Sequence, residues 1–338
     1  MYQCGYAQGT AHDPARSSWI GSGTRPCFWS IWYPSEEMGL ATNARDCSED
    51  VFDLGPVQSG LLALAKPVAP AVLLSHGTGG TAESLGWIAS MLARRGSLVI
   101  AANHHGNTGL EDYRPEGFLC WWERAADLSL LLTEFAGDAR FGHLVRDVPV
   151  VTVGYSLGAH TSLALLGGET SMGQFREWAQ GHPFMANGPR EFPDLADHID
   201  RLFATSEVFR QSWARQGHSY RDSRIISGIL LAPPPPVRAL IPTSLAEISA
   251  PLTILAAAND SEANPDLCAR WLCKQNPGFE LTVLQDADHY GFLGPLTEKG
   301  AAILSDHFAG VAFESRARLH AEVGAVILER MGRISASI

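Results

Sequence analysis

The chain has 338 residues, 46% of them hydrophobic, which is enough for a sizeable core and too apolar for a disordered segment. Its 25 Lys and Arg against 36 Asp and Glu give a formal charge of −11, which disfavours nucleic acid or an anionic membrane surface as partner and suits a neutral small-molecule substrate. No run reaches the roughly 18 apolar residues of a membrane span, and Met1-Tyr2-Gln3-Cys4-Gly5 has neither a basic region nor an apolar one behind it, so a cytoplasmic protein is expected unless a leader has been removed.

In chain order, residues 1–60 are rich in Gly, Pro and aromatics, with alternation in Cys27-Phe28-Trp29-Ser30-Ile31-Trp32-Tyr33 that reads as a strand ending at Pro34-Ser35. A second apolar run, Ala71 to Ser75, stops at His76-Gly77-Thr78-Gly79-Gly80. The spacing of Leu85, Ile88, Met91 and Leu92 predicts a helix over 83–95, with Gly96 as its stop. A strand over 97–102, a His104-His105-Gly106 loop and an amphipathic helix around 122–135 follow. Pro149 then opens the β-branched run Val150-Val151-Thr152-Val153, which meets Gly154-Tyr155-Ser156-Leu157-Gly158 and the helix-forming 159–166. Strands at 225–231, 251–256 and 279–284, with helices near 265–274 and 297–330, complete an alternation that implies an α/β fold: a mostly parallel central sheet flanked by helices on both faces.

Between Gly168 and Arg224 the rhythm breaks into polar helical pieces carrying Phe175, Trp178, Phe184, Met185, Phe192, Phe203, Phe209 and Trp213. The expected organisation is a core of residues 1–167 and 225–338 with an inserted helical cap, 168–224; a surface insertion that merely packs on the sheet is the alternative. The six cysteines, Cys4, Cys27, Cys47, Cys120, Cys268 and Cys273, include no C-x-x-C pair and read as mostly reduced, buried thiols.

The chemistry centres on the G-x-S-x-G segment. A strand that must turn at once into a helix forces its corner residue into a strained conformation, needs small residues two before and two after, and projects the corner side chain at the sheet's edge. A serine hydroxyl there needs a base, and the base an orienting acid. Downstream of Ser156, His289 in Asp286-Ala287-Asp288-His289-Tyr290 follows one strand and Asp260 follows another, at the same C-terminal edge. Glu262, Asp286 and Asp288 are rival acids; Asp286 and Asp288 stand too near His289 in sequence to reach round to its ring, and Glu262 remains a competitor.

Oxyanion donors are expected from the backbone N–H of Leu157, at the positive end of the following helix, and of Thr78 in the glycine-rich loop. His76, His104 and His105 lie in loops at the same edge and His160 on the helix against the sheet; hydrogen-bonded structural roles are expected of them. The His104-His105 pair lacks the spacing of a metal site, so no metal is expected. Gly77-Thr78-Gly79-Gly80-Thr81-Ala82 also reads as the G-x-G-x-x-A dinucleotide fingerprint, but the next strand ends at Asn103 without the ribose-binding acid, so no cofactor is expected. Trp121, Trp122, Tyr155, Tyr290 and Phe292 are expected to wall an apolar or aromatic pocket.

The Ser75-His76-Gly77-Thr78-Gly79-Gly80 loop, the Gly154-to-Gly158 turn, the segment from Ala256 to Pro265 and the segment from Asp286 to Leu293 resemble the α/β-hydrolase superfamily, in particular the branch called predicted dienelactone hydrolases, related to platelet-activating-factor acetylhydrolases. Arg25-Pro26, Ile31 to Pro34 and Trp122 to Asp127 are similar to that branch as well. The resemblance implies the α/β-hydrolase fold, with Ser156 as nucleophile, His289 as base, Asp260 as acid, and Thr78 and Leu157 as oxyanion donors. Two departures stand out: no acid follows the strand ending Leu231-Ala232-Pro233, where the acetylhydrolases place theirs, and the turn carries Ser where dienelactone hydrolases carry Cys. The expected activity is a serine hydrolase cleaving a carboxylic ester, including a lactone or a hydrophobic or aromatic ester, through an acyl-enzyme. An amidase or peptidase, an acyltransferase, and a non-catalytic binding protein are the alternatives, and a homodimer is left open.

Overall fold

The computed structural model describes residues 1–37, 45–46, 48–182, 188–304 and 313–336, with the side chains of 313–315 excepted. The long hairpin β1 (Gln3–Ser17) and β2 (Thr24–Ser35) comes first, followed by β3 (Ala71–Ser75). A 3-10 turn at Ala82–Leu85 runs into α1 (Gly86–Ala93), then β4 (Val99–Asn103), α2 (Pro115–Leu119) and α3 (Glu123–Gly137). The serine turn joins β5 (Val150–Tyr155) to α4 (Leu157–Leu166). Helices α5 (Met172–Gln180), α6 (Ile199–Thr205) and α7 (Glu207–Ala214) precede β6 (Ile225–Leu231) and α8 (Pro242–Ala246). The chain continues through β7 (Leu252–Ala257), α9 (Ala269–Gln275), β8 (Phe279–Leu284), α10 (Glu298–Leu304) and α11 (Phe313–Ser335).

The eight strands form one sheet in the order β1-β2-β4-β3-β5-β6-β7-β8. From β4 to β8 every neighbour is parallel, while β2 joins β4 antiparallel and β1 joins β2 antiparallel. β3, β4, β5 and β7 are buried along their whole length, which is why they read as nearly continuous apolar runs: side chains alternate between two covered faces. Leu73, Ile100 and Ile254 face a layer containing Leu128 and Leu131 of α3 and Leu163 of α4. Val72, Leu74, Val153 and Leu255 face the opposite layer, made by Ile88 and Leu92 of α1 with Val323 and Ile327 of α11. A third cluster, holding Phe118, Trp122, Met172, Leu202 and Phe209, packs α5 to α7 onto the start of α3 and the rim of the sheet.

One element departs from expectation. β1 was not anticipated, and the closing helix expected over 297–330 is described as α10 and α11, with 305–312 between them outside the described residues. The five described cysteines are unpaired; four are buried, Cys273 is half-buried, and Cys47 lies outside the described residues. No helix among the described residues is long and apolar enough to cross a membrane.

Candidate active site

Ser156 caps the N-terminus of α4 with φ 50° and ψ −123°, a left-handed conformation for a side-chain-bearing residue. The turn survives because its flanks carry no Cβ: one on Gly154 would lie 2.0 Å from the Gly158 carbonyl oxygen, and one on Gly158 would lie 2.0 Å from the Ser75 carbonyl oxygen. Ser156 N–H donates to the Leu231 carbonyl at 2.8 Å, tying the corner to β6. The result is a hydroxyl fixed at the C-terminal edge of the sheet, only 6% of the residue being exposed.

The ends of β7 and β8 bring two further side chains to that hydroxyl. His289 Nε2 lies 3.0 Å from Ser156 Oγ, and His289 Nδ1 lies 2.8 Å from Asp260 Oδ2. The other carboxylate oxygen, Oδ1, accepts the N–H groups of Glu262 at 2.9 Å and Ala263 at 2.6 Å, so the turn after β7 aims the carboxylate. Tyr155 Oη donates to the His289 carbonyl at 2.9 Å, and Asp288 accepts the Gly291 N–H, together fixing the segment that carries the imidazole. With Nδ1–H donated to a carboxylate, Nε2 is left to accept the serine proton. The rival acids are engaged elsewhere: Glu262 with Arg190 at 2.9 Å, Asp286 with Arg318 at 2.8 Å, and Asp288 within its own turn.

The loop after β3 faces the serine from the other side; a Cβ on Gly77 would stand 3.1 Å from the Ser156 Cβ. The loop is braced by Gly79 N–H on Asn107 Oδ1, Tyr113 Oη on the Gly79 carbonyl, and Arg124 Nη2 on the His76 carbonyl. Among the described residues the Thr78 N–H has no partner, and the Leu157 N–H opens α4, where the first N–H groups have no acceptor within the helix.

The remaining histidines are engaged with their own surroundings. His104 bridges Ser75 Oγ and Asp127 Oδ2, and His105 bridges Ser18 Oγ and Glu111 Oε1. His76 Nε2 accepts the His104 N–H, leaving Nδ1 to donate to the Gly77 carbonyl. His160, expected against the sheet, contacts Thr170 Oγ1 and the edge of the Trp121 ring. Burial first, and the Arg124 charge second, push His104 and His160 down to about 3 and hold His76 well below the ordinary imidazole value, so all three are neutral at pH 7.

A cavity of about 1310 Å³ opens at the serine, with Thr78, Ser156 and His289 in its wall. Of the expected pocket residues, Trp121, Tyr155 and Tyr290 line it. Trp122 does not: it is fully buried in the third core cluster, where its Nε1 donates to the Ser212 carbonyl, whereas Trp121, in the same cluster, reaches the cavity wall. Phe292 is likewise fully buried, in the layer against α11. Phe184 and Met185 lie outside the described residues.

Sequence reasoning missed two residues. Glu191 puts a carboxyl into the cavity wall, its pKa raised by burial and by the like charge of Glu262. Arg124 is buried beneath the glycine-rich loop; its spacing from Leu128 and Leu131, four and seven residues on, is the signal that would have placed it on the inward face. Among the described residues no three His, Cys, Asp or Glu side chains converge as a metal ion requires.

Comparison with known proteins gives a family and a fold. The model of the "Alpha/beta hydrolase family" matches residues 40–299. A search of curated proteins finds no match. Among solved structures, the chain is similar to a ferulic acid esterase from Streptomyces cinnamoneus, at TM-score 0.55 and 17% identity, over 91% of this chain and 87% of that one.

Proposed function

This chain belongs to the alpha/beta hydrolase family, and from that premise we propose that it is a serine hydrolase that cleaves carboxylic esters through an acyl-enzyme. The observation that carries the reading is the unbroken line Asp260–His289–Ser156, with contacts of 2.8 and 3.0 Å at the mouth of an aromatic-walled cavity. Ser156 Oγ attacks the ester carbonyl carbon while its proton passes to His289 Nε2; the resulting oxyanion is held by the N–H groups of Leu157 and Thr78. Collapse breaks the bond to the alkoxy oxygen, which leaves as the alcohol with the proton from Nε2. Water then loses a proton to Nε2, attacks the acyl carbon, and the acid departs as Ser156 recovers its hydrogen. Asp260 holds the imidazole in the tautomer that both steps need.

The acid stands after β7, as the dienelactone-type resemblance implies, and Ala232 occupies the alternative place after β6. In this reading residues 168–224 act as a cap that closes the apolar end of the cavity with Met172 and Phe175. The substrate would be an uncharged ester with an apolar or aromatic group, which Trp121 and its edge-on partner Phe175 would receive. The similarity to a ferulic acid esterase supports a search that starts with aryl esters. The test is Ser156→Ala: turnover of p-nitrophenyl esters and labelling by a fluorophosphonate should both vanish while the circular dichroism spectrum and melting temperature stay in place. A folded Ser156→Ala protein with retained turnover rejects the assignment.

A further inference from the structure

Arg124 is 1% exposed, yet among the described residues no carboxylate lies within ion-pair distance of its guanidinium. Its nearest acidic neighbour on the helix, Asp127, is already spent on Arg16 at 2.8 Å, on Arg25 at 2.8 and 3.0 Å, and on His104 at 3.2 Å. Nε and Nη1 find no hydrogen-bond partner among the described residues. The one strong contact is Nη2 on the His76 carbonyl, at 2.5 Å. The groups whose protonation its charge holds down, His76, His104 and His160, are neutral and return no negative charge. The Asp127 carboxylate acts on Arg124 only from beyond ion-pair reach, and a buried cation without a close ion pair is a large cost for a fold to carry, because the charge has left water and gained little in exchange.

The placement suggests what the charge is for. A trans peptide sets its C=O and N–H in opposite directions, so pulling the His76 carbonyl onto Arg124 turns the Gly77 N–H the other way. Gly77 is the residue packed against Ser156, and Thr78 follows it. A charge-assisted hydrogen bond also polarises the peptide that accepts it. Resting on the serine-hydrolase reading above, we propose that Arg124 is a positioning residue of the oxyanion loop: a guanidinium that locks the His76–Gly77 peptide and keeps a positive charge that no ion pair neutralises beneath the point where the tetrahedral intermediate becomes negative. Its counterion is the transition state.

A purely architectural arginine and a charge kept for the reaction respond differently to substitution. Arg124→Met should lower kcat for a p-nitrophenyl ester about a hundredfold with KM within about twofold, in the range found for lost oxyanion stabilisation. Affinity for a boronic acid, which forms a tetrahedral anionic adduct on the serine, should fall by the same factor, and the melting temperature should hold or rise. Arg124→Lys should recover at least about tenfold of the lost kcat. An Arg124→Met protein with kcat within about threefold of the parent overturns the proposal. So does one whose kcat loss comes with a lower melting temperature and unchanged boronate affinity. Should the Met variant fail to fold, Arg124→Lys decides alone: losses in kcat and boronate affinity must move in proportion, and disproportion overturns the proposal. A Ser156→Ala enzyme that still turns over ester would instead sink the serine reading; an inactive Ser156→Ala beside a fully active Arg124→Met sinks only the role given to Arg124.

Discussion

Replacing Asp260 by Asn is the sharpest single perturbation of the site, because its outcome follows from counting donors and acceptors. Asp260 receives three N–H groups: Glu262 at 2.9 Å and Ala263 at 2.6 Å on Oδ1, and the His289 ring on Oδ2. An amide has one oxygen and one NH2. Two fixed backbone donors hold the oxygen on their side, which turns the NH2 toward His289 Nδ1. The imidazole can then satisfy that contact only by accepting through Nδ1, which moves its proton to Nε2. A protonated Nε2 at 3.0 Å from Ser156 Oγ donates where it should accept. The serine keeps its proton, and kcat for p-nitrophenyl acetate is expected to fall about ten-thousandfold, or about 5 kcal/mol of barrier, the size of effect this substitution has in serine proteases. KM should change by less than about threefold, since no contact with the substrate is lost. Glu262→Gln serves as control: it removes a solvent-screened pair with Arg190 and a like charge near Glu191, touches neither His289 nor Ser156, and should keep kcat within about threefold. The reasoning is refuted if Asp260→Asn retains more than a tenth of parental kcat, or if Glu262→Gln is the variant that dies.

Stability should fall as pH drops below neutrality. His104 and His160 titrate near 3 in the fold, chiefly through burial, against 6.5 when unfolded, so between those values the unfolded chain binds protons that the folded one refuses. Each contributes up to about 1.4 kcal/mol per pH unit, and thermal melts at pH 7, 6 and 5 should show a progressive drop that His160→Gln makes shallower; a flat profile contradicts the assignment. Trp121→Ala should raise KM for an aryl-acyl ester about tenfold and leave the acetyl ester within about threefold, the cost of one large apolar contact; an unchanged ratio of the two kcat/KM values would place the aryl group elsewhere. Gly158→Ala should give no active folded protein, since its Cβ would sit 2.0 Å from a backbone oxygen, whereas Gly137→Ala, with nothing within 4 Å, should melt close to the parent.

Most of the sheet was legible because a strand covered on both faces leaves a mark: Val72 to Leu74, Val150 to Val153 and Leu252 to Leu255 are apolar but for the β-branched Thr152 and Thr253, and end at glycine or polar loops. β1 left no such mark. It lies at the sheet edge, most of its residues touch solvent, and Gly5, Gln8 and Gly9 stand where the β-branched residues that announce a strand would be expected. The serine, histidine and aspartate could be singled out because each follows a readable strand, and chain order plus a shared edge narrows the partners. Their alignment to within hydrogen-bond reach depends on turns such as Asp260 to Ala263, whose geometry no periodicity records. Trp122 misled because an aromatic at a helix start can face the cavity or the core, and one residue of offset decides which. Arg124 escaped notice because an arginine among alanines and acids looks like a solvated face until the helix is docked.

The hairpin of β1 and β2 lies wholly before residue 40, where the family resemblance begins, yet β2 covers the flank of β4 along five paired positions. A gene fragment trimmed to the homologous boundary would therefore lose Ile31, Trp32 and Tyr33 from the interior, strand the Asp127 carboxylate without Arg16 and Arg25, and leave Val99 to Asn103 as a bare, sticky margin ready to pair with other copies. A protein beginning at residue 40 should therefore be insoluble or melt far below the full chain, and expression should keep the opening forty residues.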